Sequence, residues 1–411
     1  MRLARILRTA GITLCLIVLA VGPYLRGLFF WTELLPALAA VATGFGLWLW
    51  GRRRDGLPAG LPGGWTGGAL LALLGLYLLQ FAWAVYPRGN LDTALRVAAG
   101  FMAYLMVRAE AGPNVRRRLG WAFVLSAAGL GVLGFLEYTG YLFRDPDLAR
   151  ALSLVGLNTR MFTTLQYPNT AAVYFLAAGL AAVGLGLDDL KPWKLAVTGA
   201  LTALVVVAFF FTISRGAVVV LPFGLLLFYA GLQRNRLWPA TLMLLAGALP
   251  LLLVMKPVGA AAAAQQTRIA FQWLAAAVAG GAATGLLVAL FLRLKERVQA
   301  AAAGAVVVLA VAGALLLRPA GGFLPKQAER LLDVNFRTVN VVLRLIYDQD
   351  ALKLAADRPL GRGGWGWDRS YRQVQQFNYT ARETHNQYAQ TAVEAGWAGL
   401  VALVGALGAA L

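Results

Sequence analysis

Histidine, cysteine and acid are the scarce residues of this chain: 411 residues hold one histidine, one cysteine, and 18 Asp and Glu against 37 Lys and Arg. The single cysteine, Cys15, lies inside an apolar stretch, so neither a disulfide nor a cysteine-ligated metal site is available. The single histidine, His385, has no cysteine to share a metal with, and none is expected there. No cofactor is called for either: the glycines of GRGGWG (361–366) lack the preceding strand and following helix of a phosphate cradle. There is no internal repeat. Arg2, Arg5 and Arg8 precede the first apolar stretch, but no small-residue cleavage site ends it, as in a retained first helix or signal anchor.

What the chain has in abundance is apolar length. Sixty per cent of its residues are hydrophobic and the mean hydropathy is +0.67. Runs near the length a helix needs to cross a bilayer recur throughout. Spans are predicted near residues 10–25, 28–50, 65–86, 91–109, 118–142, 168–187, 194–213, 216–232, 237–255, 268–292, 298–317 and 387–411. The fold class is an all-α polytopic membrane protein of about twelve spans. It divides into a bundle over 1–318, a polar segment over 319–386 and a last span over 387–411. That span stops at Leu411 without a basic inner flank, as a chain cut there or continued into a further domain would.

With the N-terminus in the cytoplasm, basic residues on the inner connections outnumber those on short outer loops roughly two to one. The net charge of +19 is thereby mostly topology, and a nucleic-acid partner is excluded. The same count puts the polar segments at 158–169, 214–216 and 319–386 on the extracytoplasmic side, away from nucleotides.

Four places could carry chemistry. Arg215 follows Ser214 in FFFTISRGAVVV, where one apolar helix gives way to another. A guanidinium at membrane depth costs roughly 2.5–3.5 kcal/mol, so it snorkels to the headgroups or serves a function. The functional reading is an anion site, with Gly216 letting a phosphate approach a helix N-terminus. Arg337 and Arg344 are seven apart on an amphipathic helix predicted over 335–357, on one face with Asp348. Val339, Val342, Leu343 and Ile346 form its apolar side, suited to the membrane surface. An ordinary solvated face gives the same pattern. THNQ (384–387) fits a capping box in which Gln387 reaches back, making His385 the first helical residue. The helix dipole would then keep its imidazole neutral and able to accept a proton, although an interface histidine making one hydrogen bond is the commoner case. Glu394, nine residues on, falls on the opposite face and reads as a buried acceptor, paired with an arginine or not.

Taken in order, SRG (214–216), RLIYDQDALKLAADRPLGRGGWGWDRSY (344–371) and ETHNQYAQTAVEAGWAGL (383–400) resemble the O-antigen ligase and O-antigen polymerase superfamily. RMFTTLQYPNTAAVYFL (160–176) is similar to a further family segment, with Thr164 and Tyr167 where glycine and asparagine are more usual. The resemblance implies a GT-C-like bundle with one large extracytoplasmic loop between the last two spans. It implies a metal-independent glycan transferase in the bacterial cytoplasmic membrane. The donor would be an undecaprenyl-diphosphate-linked glycan, and the acceptor a hydroxyl of a glycan, lipid or protein. His385 matches the catalytic histidine, and Arg215 and Arg344 the arginines that grip the diphosphate. Arg160 is expected to join them in one outward-facing cavity, with Arg337, Ser214, Asn386 and Glu394 in support. Ligases and polymerases share these motifs, and the acceptor distinguishes them. A lipid-linked oligosaccharide transporter is the rival class. It needs polar or acidic residues gathered at bilayer depth, whereas Glu33, Asp92, Glu137 and Glu394 are scattered over four spans.

Overall fold

The computed structural model describes residues 2–58, 63–110, 112–142, 160–295 and 339–409, with isolated positions between 297 and 308. Among these the chain is helical throughout, with no strand. The helices are α1 Arg2–Val21, α2 Trp31–Arg54, α3 Gly64–Leu79, α4 Pro87–Ala109, α5 Pro113–Tyr138, α6 Pro168–Asp188, α7 Pro192–Phe211, α8 Arg215–Ala230, α9 Leu237–Ala263 and α10 Thr267–Phe291, then α11 Val339–Asp357, α12 Gly366–Ser370, α13 Gln387–Glu394 and α14 Gly396–Gly408.

Eight described helices are long and apolar enough to cross a membrane: α1, α2, α3, α5, α6, α7, α9 and α10. Helices α8 and α14 are apolar but shorter. Helix α4 carries Arg88, Asp92, Arg96 and Arg108 and is not among the eight. The span expected over 298–317 lies outside the described residues, isolated positions apart, as do 319–338. The final span expected over 387–411 is not one helix. It breaks between α13 and α14, where Gly396 has φ +74°, and the apolar part is the 13 residues of α14.

The chain folds as two compact units. One joins residues 1–18, 34–115 and 335–411; the other joins 19–33 and 116–334. In the second, α5, α6, α7, α9 and α10 share a core around Phe135, Phe175, Val205, Phe211, Val258 and Leu274. Helices α7 and α10 approach through small residues, with a Cβ on Gly199 falling 2.3 Å from the Gly281 carbonyl.

In the first unit the polar segment after α11 has a core of its own. Tyr347, Ala351 and Leu354 of α11 pack with Trp367, Tyr371, Tyr379 and the α13 residues Ala389 and Val393. The apolar side of α11 is therefore only partly the one expected. Leu343 and Ile346 do pack on this core, but Val342 is exposed, and the buried stripe continues through Tyr347, Ala351 and Leu354. Asp350 is fully buried on α11 and takes hydrogen bonds from Tyr379 (2.7 Å), Lys353 (2.9 Å) and Gln376 (3.2 Å). Burial pushes the Asp350 carboxyl up, but these three donors outweigh it and hold the carboxyl below its usual range.

The RPLGRGGWGW stretch (358–367) ties this core to α3, α4 and α13 by backbone contact. Gln80 donates to the carbonyls of Leu360 and Glu394, each at 2.8 Å. Gly364 N–H donates to Asn90 Oδ1 (3.0 Å), Trp365 Nε1 to Asp92 (3.0 Å), and Gly363 N–H to the Glu394 carbonyl (2.9 Å). Gly361 has φ +83°, and a Cβ on it would lie 2.4 Å from that same carbonyl. Its glycines serve this close packing. Gly361→Ala combines left-handed strain of about 1–3 kcal/mol with overpacking of similar size. Thermal unfolding of the purified protein should show a clear loss, whereas Gly75→Ala, where a Cβ meets nothing within 4 Å, should be neutral or mildly stabilising.

Candidate functional site

The structure assembles the expected site residues into two clusters, one in each unit. In the second unit the segment before α6 turns through left-handed residues at Thr163 (φ +60°) and Gln166 (φ +58°), and α6 starts with Pro168. This brings Asn169 under Arg160, whose Nη2 donates to Asn169 Oδ1 at 3.1 Å while Nε donates to the Thr212 carbonyl at 3.0 Å. Asn169 Oδ1 also accepts from Ser214 Oγ at 2.8 Å. Ser214, buried, is the N-cap of α8 and accepts from Ala217 N–H at 3.2 Å. Arg215, half-buried, is the first residue of α8. A Cβ on the next residue, Gly216, meets nothing within 4 Å, so the space beside Arg215 is open. Asn169 links Arg160 to Ser214, and its presence in the YPN segment was its only mark in the sequence.

In the first unit His385 lies in the turn before α13. The helix starts at Gln387, not at His385, and its N-cap is Asn386, whose side chain accepts from Tyr388 and Ala389 N–H at 3.1 and 3.4 Å. The expected capping box through Thr384 and Gln387 is replaced by a tighter local turn. Thr384 Oγ1 donates to the Asn386 carbonyl (2.7 Å) and accepts from Asn386 N–H (3.2 Å). His385, held between them, takes φ +59°. A non-glycine residue in that region is strained, and such strain gathers at functional sites.

The imidazole is exposed and its ring centroid lies 6.3 Å from that of Tyr347. Burial of part of the ring lowers its pKa below the ordinary 6.5, the positive charge of Arg344 lowers it further, and Glu383 opposes both. The neutral form expected from the sequence is thus favoured by burial and Arg344. Arg344 is exposed on α11, one turn before Tyr347. Arg337 lies outside the described residues.

Glu394 is buried at the end of α13 and accepts from Gln390 Nε2 and from the backbone N–H of Trp365. Its side-chain partner is an amide, not an arginine. Gln390 Oε1 in turn accepts from Thr384 N–H at 3.1 Å. Burial pushes the Glu394 carboxyl up to about 8, and this buried carboxyl reaches the residue before His385 through one amide, a connection that spacing on a helix did not reveal because Thr384 lies outside the helix.

Apolar helices of spanning length, together with a folded polar segment that displays an exposed imidazole close to an arginine, are the features of a multi-span membrane protein with a polar segment among its apolar helices. Residues 258–404 match the model of the family described as O-antigen ligase (Wzy_C). That match supports the likeness of this part of the chain to the O-antigen ligase and polymerase superfamily, and with the apolar helices it is in keeping with a membrane protein of polysaccharide biosynthesis. It takes in Arg337, Arg344, His385, Asn386, Gln390 and Glu394; Arg160, Ser214 and Arg215 fall before it. No curated protein and no solved structure matches the chain.

Proposed function

We propose that the chain moves a glycan from an undecaprenyl-diphosphate carrier to an acceptor hydroxyl at the outer face of the bacterial cytoplasmic membrane. The observation that carries this reading is the exposed His385 imidazole, kept toward its neutral form and fixed in a left-handed turn. His385 takes the proton of the acceptor hydroxyl, the acceptor oxygen bonds to the anomeric carbon, and the bond from that carbon to the carrier phosphate breaks. The diphosphate leaves with the electron pair, so a single displacement inverts the anomeric centre. Arg160, Arg215 and Arg344 are the proposed grips on the diphosphate, since guanidinium forks suit phosphate oxygens. Ser214 and Asn386 cap the helices beside Arg215 and His385, and Arg337 is assigned a supporting role with Arg344. A ligase and a polymerase run this same step and differ in the acceptor.

The test is transfer from a purified lipid-linked glycan by the full chain in detergent, with the anomeric configuration of the product read by NMR. Inverted product formed without added nucleotide is expected. A retained configuration, or transfer that requires a nucleotide, would overturn the reading. Replacing Arg215 or Arg344 with glutamine should weaken donor binding about tenfold, because each contact to phosphate persists from ground to transition state. Binding is measured separately by titration with the lipid-linked glycan, and unchanged affinity in both variants would remove them from the donor site.

A further inference from the structure

The connections expected on the cytoplasmic side contain a second cationic feature. At one end of the second unit, the start of α5, the end of α6 and the α8–α9 connection surround a recess of about 440 Å3. That size lies within the range of small-ligand sites. Three arginines line it, Arg116, Arg117 and Arg236, against one acidic residue, Asp188. Gln233 adds an amide, and the floor is opened by glycine: a Cβ on Gly184 meets nothing within 4 Å.

Four other basic residues expected on the same side are paired with acids. Arg8 pairs with Asp55 (2.9 Å) and Glu110 (3.3 Å), Arg52 pairs with Glu110 (3.3 Å), and Lys191 and Lys194 pair with Asp189. Arg116, Arg117 and Arg236 make no ion pair among the described residues. Arg53, Arg54 and Arg234 make no ion pair among the described residues either; what sets Arg116, Arg117 and Arg236 apart is that all three line one recess, which topology alone does not ask for. Arginine forks there match phosphoryl oxygens, and basic pockets between helix ends at the cytoplasmic surface suit anionic headgroups.

We infer that this recess is an anion site for a phosphoryl group, filled by the headgroup of an anionic phospholipid or by a soluble phosphate. It does not depend on the glycan-transfer reading, and no residue of the proposed catalytic site lines it.

The experiment measures the melting temperature of the full chain in detergent with added phosphatidylglycerol, phosphatidylcholine or inorganic phosphate at matched ionic strength. Phosphatidylglycerol is expected to raise it by about 3 °C or more over phosphatidylcholine. The combined variant R116Q/R117Q/R236Q should lose that shift, while R234Q, in the same turn but outside the recess, should keep it. Gly184→Phe should also lose it, because it fills the recess and leaves every charge in place. Full stabilisation by inorganic phosphate with no further gain from lipid would support the site and assign it to a soluble anion. An equal shift with phosphatidylcholine, or a shift retained in both the combined and the Gly184→Phe variants, overturns the proposal.

Discussion

Replacing His385 with alanine should lower the turnover of glycan transfer by at least about a hundredfold and leave donor binding within about twofold of the unaltered protein. A general base contributes about 10²–10⁴-fold, and it acts mainly in the transition state, so the loss belongs to kcat. Donor affinity rests on the diphosphate contacts, which the change leaves in place. The pH profile supplies an independent reading. The neutral imidazole is the active form, so activity falls as pH drops through the folded pKa of His385. Burial and Arg344 put that pKa below 6.5, and the acid limb should therefore lie on the acid side of 6.5. Arg344→Gln removes one of the two causes of the depression, so the acid limb should move to higher pH. Stability follows the same sign: a histidine whose pKa is depressed by folding binds fewer protons in the folded state, and its contribution weakens as pH falls below 6.5. If His385→Ala keeps more than about a tenth of normal turnover, the base is elsewhere.

Much of this was legible in the sequence, and what was missed has a common cause. Apolar runs gave most of the spans because in a bilayer the helix must satisfy its own backbone. α4 was less legible because Asp92 and Arg96 pair with each other, and Asp92 also accepts from Trp365, a partner 273 residues away. The prominence of His385 was also plain, since no other residue of its type competes with it. The cap was misassigned by two residues: Thr384 and Asn386 are both good N-caps, and only the left-handed φ at His385 decides between them. Tertiary ties such as Asp350 to Tyr379, or Asn169 to Arg160, join polar residues whose sequence spacing carries no period. The glycines at 361–366 looked like a weak phosphate loop; their use is to let the backbone of Gly361 pass Glu394 and Gly396.

Gln390→Ala should lower turnover about a hundredfold with the donor KM unchanged, although Gln390 has no part in the proposed proton transfer. Thr384 N–H can only donate, so it faces Gln390 Oε1, and the amide nitrogen is left to donate to the Glu394 carboxyl. The Thr384 N–H thus sets the direction of the amide, the buried Glu394 carboxyl anchors its nitrogen, and the Thr384 turn holds His385 at its strained φ. Losing the amide lets the turn relax, and a displacement of about 1 Å at a reacting group can cost about 10²-fold. Glu394→Ala should resemble Gln390→Ala, because the amide is then free to turn over. Glu394→Gln keeps an acceptor oxygen and should retain activity within about tenfold. The decisive measurement is a double-mutant cycle. If Gln390 acts only through His385, adding Gln390→Ala to the His385→Ala protein costs nothing further in turnover. Additive losses would make Gln390 a general stabiliser of the segment, and a loss confined to KM would place it at the substrate.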